Sequence, residues 1–226
     1  MQLHYDVVYS DRKTVQITVE RDRSVVVRAP RTATSEQIDG AVQQKKLWIY
    51  QKLQHPQKYQ PEQLQQKKEF VSGESLLYLG RHYRLEVVEE AFSDVRFDGR
   101  FYLSKQAQPE AARLFEAWFK AQARKKITPI AQEIASRLGV GYHHILISDL
   151  RYRWGSCTPN DSLNFNWRLV KAPMTVVQYV VAHELAHLME PNHTERFWNL
   201  VRIQAPRYEK AKAWLRRNGH DLEVDF

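Results

Sequence analysis

Short apolar runs broken by charged turns open the chain. Segments 3–9, 14–19 and 24–29 are rich in Val, Ile and Tyr, which predicts three strands. The β-branched run Ser24-Val25-Val26-Val27-Arg28 is too short for a helix, and Pro30 ends it. The period then lengthens. Ile38, Val42, Leu47 and Ile49 give an approximate apolar stripe, so a helix is expected over about 35–53 with Ser35 as its N-cap. Residues 54–68 are rich in Gln and Lys and hold two prolines. They read as a helix end followed by an exposed connector.

Strand patterning resumes at 76–79 and 83–88, with two short pieces around Val95 and Phe101. Asp98-Gly99 between those pieces is a hairpin turn signal. A long helical stretch is predicted from about 109 to 138, with Leu114, Trp118, Ala121 and Ile127 as its buried stripe. Pro129 should kink or split it, and Gly139 should stop it. Strands are expected at 145–149 and 163–167, on either side of Arg151-Tyr152-Arg153-Trp154-Gly155-Ser156-Cys157. Three helices follow, at about 174–189, 194–204 and 206–217, the last ending at Gly219. No internal repeat is visible. The expected fold class is α+β, a β-rich N-terminal half (1–105, with one helix) before a mainly helical core with a small sheet (106–226).

Composition adds three constraints. Of 226 residues, 43% are hydrophobic, enough for a sizeable core and too many for a disordered chain. The net charge of +8 and pI of about 9.5 favour anionic partners such as nucleic acid or nucleotides, or else describe an ordinary basic protein. The single cysteine, Cys157, excludes an intrachain disulfide and fits a reducing compartment. No apolar run reaches the length of a membrane span, and no secretory signal stands at the start. A cytoplasmic protein is expected, and its oligomeric state is not legible.

The chemistry concentrates in one helix. Val180-Val181-Ala182-His183-Glu184-Leu185-Ala186-His187 contains His-Glu-x-x-His. Residues four apart share a helix face, so both imidazoles can reach one ion at about 2.0–2.1 Å. Glu184 can face the water that such an ion activates and serve as general base. His193 follows His187 by six residues and completes a three-histidine set with an open fourth position. One zinc per chain on His183, His187 and His193 is expected. His4, His55 and His82 are isolated and lack ligand spacing.

The His-Glu-x-x-His-x-x-x-x-x-His spacing is that of metzincins, but Glu190 stands where they carry Gly, and no Met follows Met189 to make their methionine turn. Glu190-Pro191-Asn192 must make the turn instead. Other motifs stand in a definite order: Trp154-Gly155-Ser156-Cys157, then 163–169 (LNFNWRL), then the His-Glu-x-x-His helix, then Asn192-His193 and Phe197-Trp198. In this set the chain resembles the YgjP-like metallopeptidase family, related to the SprT and WLM groups. The signature covers roughly residues 145–215, with looser likeness over most of the chain. The resemblance implies a zincin-like core, zinc on His183, His187 and His193, Glu184 as base, and a protein or peptide substrate.

Other residues have two readings each. Along 162–167, Leu163, Phe165 and Trp167 should face the core. Asn164 and Asn166 then either line the cleft beside a substrate strand or are simply solvated. Arg153 can stabilise an oxyanion or phosphate, or be a surface charge. Tyr179 is expected to be packed. Tyr208 can reach the cleft, but nothing in the sequence places it. Cys157 reads as a small buried residue, since a fourth protein ligand would close the metal. His143 and His144 point to opposite faces of a strand, and Phe197 and Trp198 are expected to pack the helix after His193 on the core. Three functions stay open: a zinc metallopeptidase, a zinc-dependent hydrolase of nucleotide phosphoanhydrides, and a nucleic-acid module with structural zinc. The second lacks a glycine-rich phosphate loop and a carboxylate cluster for Mg²⁺. Glu184 and the open metal position argue against the third.

Overall fold

A computed structural model describes residues 3–20, 23–53, 68–150 and 153–223. The expected connector at 54–68 falls almost wholly outside these residues, as do His55, Arg151 and Tyr152. The chain divides into two compact units, Met1–Gln65 and Gln66–Phe226.

The first unit holds strands β1 (Asp6–Ser10), β2 (Gln16–Val19) and β3 (Val25–Pro30), then helices α1 (Ser35–Gln44) and α2 (Lys46–Leu53). β3 is central, parallel to β1 and antiparallel to β2. Its alternate residues Val25, Val27 and Ala29 are buried against Ile38, Val42 and Ile49. The cap of α1 is Thr34 rather than Ser35: its side chain accepts from Gln37 N–H, and the Gln37 side chain accepts from Thr34 N–H. Capping works across that three-residue spacing, which Ser35 cannot offer here. The single helix expected over 35–53 is two, divided at Lys45.

In the second unit β4 (Ser75–Tyr78), β5 (Arg81–Val88), β6 (Arg96–Phe97) and β7 (Phe101–Ser104) form a sheet of order β4-β5-β7-β6. The Asp98-Gly99 turn joins β6 to β7 as expected, with Gly99 at φ +96°. Composition placed these strands with the first half of the chain, but their core belongs to the helices that follow. Leu76, Tyr78, Leu85, Phe101 and Leu103 are buried in one cluster with Phe115, Phe119 and Trp167. The division between units accordingly falls at Gln65–Gln66, upstream of the expected boundary near 105.

Pro109 sits in a short 3-10 turn (Lys105–Glu110) ahead of α3 (Ala111–Leu138). The buried stripe of α3 is Phe115, Phe119, Ala123, Ile127 and Ala131. Ile127 is buried as expected, Leu114 and Trp118 are only partly buried beside Phe115 and Phe119, and Ala121 is exposed. α3 also runs unbroken through Pro129. Pro129 and Lys125 are both exposed, so the carbonyl that loses its helical partner can meet water. Gly139, at φ +67°, ends the helix as expected.

A second sheet, of order β8-β10-β9, follows from β8 (Ile145–Ser148), β9 (Gly155–Cys157) and β10 (Leu163–Asn166). β10 is its middle strand, parallel to β8 and antiparallel to β9. A 3-10 turn, Trp167–Lys171, leads into α4 (Met174–Ala186), and α5 (Glu195–Gln204) and α6 (Tyr208–Glu223) complete the unit. Gly219 does not end α6; it is buried within it beside Leu215 and Leu222. Together these elements make the mixed α+β fold expected from the sequence. Among the described residues no helix is long and apolar enough to cross a membrane.

The start of α4 is fixed from several sides. At the β4–β5 turn, Leu79 and Gly80 both have positive φ, and their N–H groups donate to the carbonyls of Val170 and Lys171 at 3.0 and 2.7 Å. Buried Lys171 in turn donates through Nζ to the Leu222 carbonyl at 3.3 Å, near the end of α6. A Cβ on Gly80 would lie 2.6 Å from Pro173 Cγ, at the residue that precedes α4. Gly80→Ala therefore combines a left-handed backbone with a collision, and should lose about 2–4 kcal/mol of unfolding free energy. Gly99→Ala keeps only the backbone penalty, because nothing lies within 4 Å of its added carbon, and should lose about 1 kcal/mol. Urea unfolding of both variants checks this; equal losses would mean that the Pro173 contact contributes nothing.

Candidate metal centre

α4 is apolar on almost every side. Val176, Val177, Val180, Val181, Ala182, Leu185 and Ala186 are all buried, and the helix packs on α3, α5, α6 and β9. Such a helix belongs inside a protein. Its last turns carry His183 and Glu184, and His187 stands at its C-cap, two residues earlier than the expected helix end. Leu188, Met189 and Glu190 N–H groups donate back to Leu185 and Ala186 carbonyls. This tight reversal, followed by Pro191-Asn192, returns the chain to α4. Thr194 then caps α5 by accepting from Phe197 N–H, which leaves His193 just outside the new helix.

The three histidines converge. One ligand nitrogen from each lies within 4.8 Å of the others, and His183 Nε2 is 3.1 Å from His193 Nε2. Tetrahedral zinc with Zn–N of about 2.0–2.1 Å separates its nitrogens by about 3.3 Å. His187 Nδ1 lies 3.3 Å from the Glu190 carbonyl, a contact that fixes the proton on Nδ1 and leaves the Nε2 lone pair free. Burial, then the neighbouring imidazoles and Lys212, holds His183 down to about 3, and the same kinds of influence lower His193. Rings with ligand nitrogens converging in this way suit a cation. By donor type and spacing the residues fit zinc. They are the only such group among the described residues.

Phe197 is the floor of this cluster. It is fully buried, and its ring lies 4.9, 4.6 and 4.7 Å from the rings of His183, His187 and His193. Trp198 stacks on His193 at 5.7 Å and on Tyr208 at 5.5 Å. Tyr208 is thus one ring removed from the histidines, and Tyr179 lies packed between Tyr208 and His183. Phe197 and Trp198 do more than join α5 to the core.

Glu184 is only 7% exposed. Burial raises its carboxyl to about 7, against the opposing pull of the Arg153 charge and a hydrogen bond from Cys157 N–H. A cation on the adjacent imidazoles would also favour the carboxylate. Glu184 fits because Gly155 faces it: a Cβ there would lie 2.6 Å from Glu184 Cγ and 2.7 Å from Oε1. Neither β9 as a strand nor Gly155 as its contact was apparent from sequence. The available signal was an isolated Gly in a short polar stretch, which marks close approach of another chain element.

The asparagines have other work. Asn166 is fully buried; its Nδ2 donates to the Leu150 and Arg153 carbonyls, and its Oδ1 accepts from Arg168 N–H. It ties down the segment before β9 rather than facing a cleft. Asn164 Oδ1 accepts from Ser148 Oγ at 2.8 Å. Arg153 is exposed and acts on Glu184 electrostatically. The Cys157 thiol is only partly buried, and burial, Glu184 and Asp161 all push it up, so it stays protonated. His143 and His144 are exposed and apart from the centre.

A family model described as "YgjP-like, metallopeptidase domain" matches residues 13–218. No curated protein matches the chain. Two crystal structures of metallopeptidase zymogens are similar over part of it. Jannalysin of Methanocaldococcus jannaschii is 23% identical, with a TM-score of 0.34, over 38% of this chain and 93% of that one. Abylysin of Pyrococcus abyssi is 19% identical, with a TM-score of 0.38, over 44% of this chain and 98% of that one.

The Gly155–Glu184 contact can be measured as a coupling. Gly155→Ala alone should lose about 1–3 kcal/mol, because its new carbon meets the Glu184 side chain. Adding Glu184→Ala removes the overlapped atoms and should recover most of that loss, a coupling of about 1 kcal/mol or more. Denaturation of the four proteins of the cycle checks it, and additive effects would show that the two residues do not meet.

Proposed function

Because the chain belongs to the YgjP-like metallopeptidase family, we propose that it is a zinc-dependent peptidase in which His183, His187 and His193 hold one zinc ion and Glu184 is the general base. The convergence of three imidazoles beside a buried carboxylate carries this reading. Zinc, when bound, supplies Lewis acidity, polarising a carbonyl oxygen and bringing the pKa of water near 7.

The remaining chemistry belongs to the chain. Glu184 takes the proton of the attacking water and returns it to the departing amine nitrogen. Cys157 N–H and the bare face of Gly155 hold the carboxylate in place for both transfers. The substrate enters as an added strand on β9, not on β10. β10 already has partners on both edges. In the β9–β10 ladder, Asn166 N–H donates to the Trp154 carbonyl and Thr158 N–H to the Ser162 carbonyl. Positions 154, 156 and 158 therefore face β10, while 155 and 157 turn their polar groups outward. That outer edge adjoins Glu184, which takes the Cys157 N–H, and its remaining groups suit an extended peptide. Arg153, at the entrance to β9, is assigned to substrate contact rather than to the proton transfers, while Asn164 and Asn166 support the strand from behind. A phosphoanhydride substrate is the second reading, favoured by the +8 charge alone.

Two variants test the assignment. His193→Ala should lose tightly held zinc, as measured by elemental analysis after gel filtration; full retention would remove His193 from the ligand set. Glu184→Gln should keep its zinc and lose about 10²–10⁴ in turnover, because the amide keeps the shape but accepts no proton. Turnover and zinc content are measured on the same preparation, against unfolded protein, peptides and nucleoside triphosphates. Near-normal turnover with zinc bound would exclude Glu184 as the base.

A further inference from the structure

The peptidase reading leaves unused a cation beside the histidines. Lys212 lies on the first half of α6, four residues after Tyr208 and so on the same helix face. Its Nζ sits 4.4 Å from the centre of the Trp198 ring. Trp198 is the middle member of a stack running from Tyr208 through Trp198 to His193, with interplanar angles of 22° and 29°. An ammonium over such a face is held by the ring quadrupole. Lys212 is exposed and makes no ion pair among the described residues. Its positive charge reaches both His183 and His193. The lysine is thus tethered at the rim of the metal centre.

We propose that Trp198 and Lys212 form a substrate subsite beside His193 that takes a carboxylate, so that the enzyme prefers peptides with an acidic side chain close to the cleaved bond. This rests on the peptidase reading. Trp198 is only partly buried, and what its stacked neighbours leave uncovered borders the methylenes of a Glu or Asp side chain, while Lys212 supplies the counter-charge. Arg153 provides a second cation on the Glu184 side of the centre. Acidic peptides therefore meet positive charge at both sides of the histidine cluster, while basic peptides meet repulsion.

The test uses full-length zinc-loaded protein and matched peptides carrying Glu, Gln or Lys at each position near a cleaved bond. Binding is measured first on the Glu184→Gln protein, so that it needs no turnover, by calorimetry. Glu peptides should bind about fivefold more tightly than Gln peptides at one position, the size of a well-placed exposed ion pair. Raising the salt to 1 M should erase the difference. Adding Lys212→Met, which keeps a flexible chain over Trp198, should abolish the preference without loss of zinc; Lys212→Glu should reverse it toward Lys peptides. Equal binding of Glu and Gln peptides, or a preference that survives Lys212→Met, overturns the subsite. Tighter binding of nucleoside triphosphates than of any peptide, lost with Lys212→Met, overturns the carboxylate assignment in favour of phosphate. The wild-type protein then separates the two levels of the proposal. Charge-selective binding without cleavage of any bound peptide defeats the peptidase reading and leaves the subsite standing; cleavage without charge selectivity does the reverse. No binding of any peptide defeats both.

Discussion

A buried carboxylate is the constraint on which the second unit is arranged. Glu184 stands on a helix that the surrounding core must enclose, yet its charged form is costly out of water. The fold answers with a strand backbone in place of a side chain. Gly155 lets β9 come against the carboxylate, Cys157 N–H donates to it, and Arg153 adds opposite charge. Asn166, from the middle strand, fastens the backbone of Leu150 and Arg153 and so holds the approach to β9. Each contact makes sense of a residue that would otherwise be an unremarkable polar neighbour.

The same economy governs the imidazoles. A ligand ring must keep its lone pair aimed at one point, and close-packed aromatic neighbours restrict its rotation. Phe197 touches all three rings from below, and Trp198 covers His193 from the side. The Glu190 carbonyl fixes the tautomer of His187. α5 thereby acts as a support for the centre, and its N-terminal cap at Thr194 sets where His193 falls.

Distance from the centre does not mean independence from it. The β4–β5 turn donates to the chain just before α4, and Lys171 links that same segment to the end of α6. The four-stranded sheet is for this reason part of the unit that carries the histidines. The aromatic contacts among Tyr78, Phe101, Trp118 and Phe119 join sheet to α3, and Trp167 joins α3 to the segment leading into α4.

Local pattern determined a good deal of this protein. The spacing of His183, Glu184, His187 and His193, the apolar run before them, the Asp98-Gly99 turn and the strand at 163–167 are all written within a few residues of one another. Such signals depend on backbone period and turn chemistry, which neighbours in sequence control. What the sequence could not express were contacts between distant segments. The missing carbon of Gly155 matters only because Glu184 arrives opposite it. Asn166 alternates correctly for an outward residue but is buried, with its amide bonded to the Leu150 and Arg153 carbonyls. The unbroken passage of α3 through Pro129 and the shared core of β4 to β7 with the helices likewise follow from packing and solvent exposure. Tertiary structure decided these points, because a collision, a hydrogen bond or a shared core is a property of two segments at once, and neither segment alone carries it.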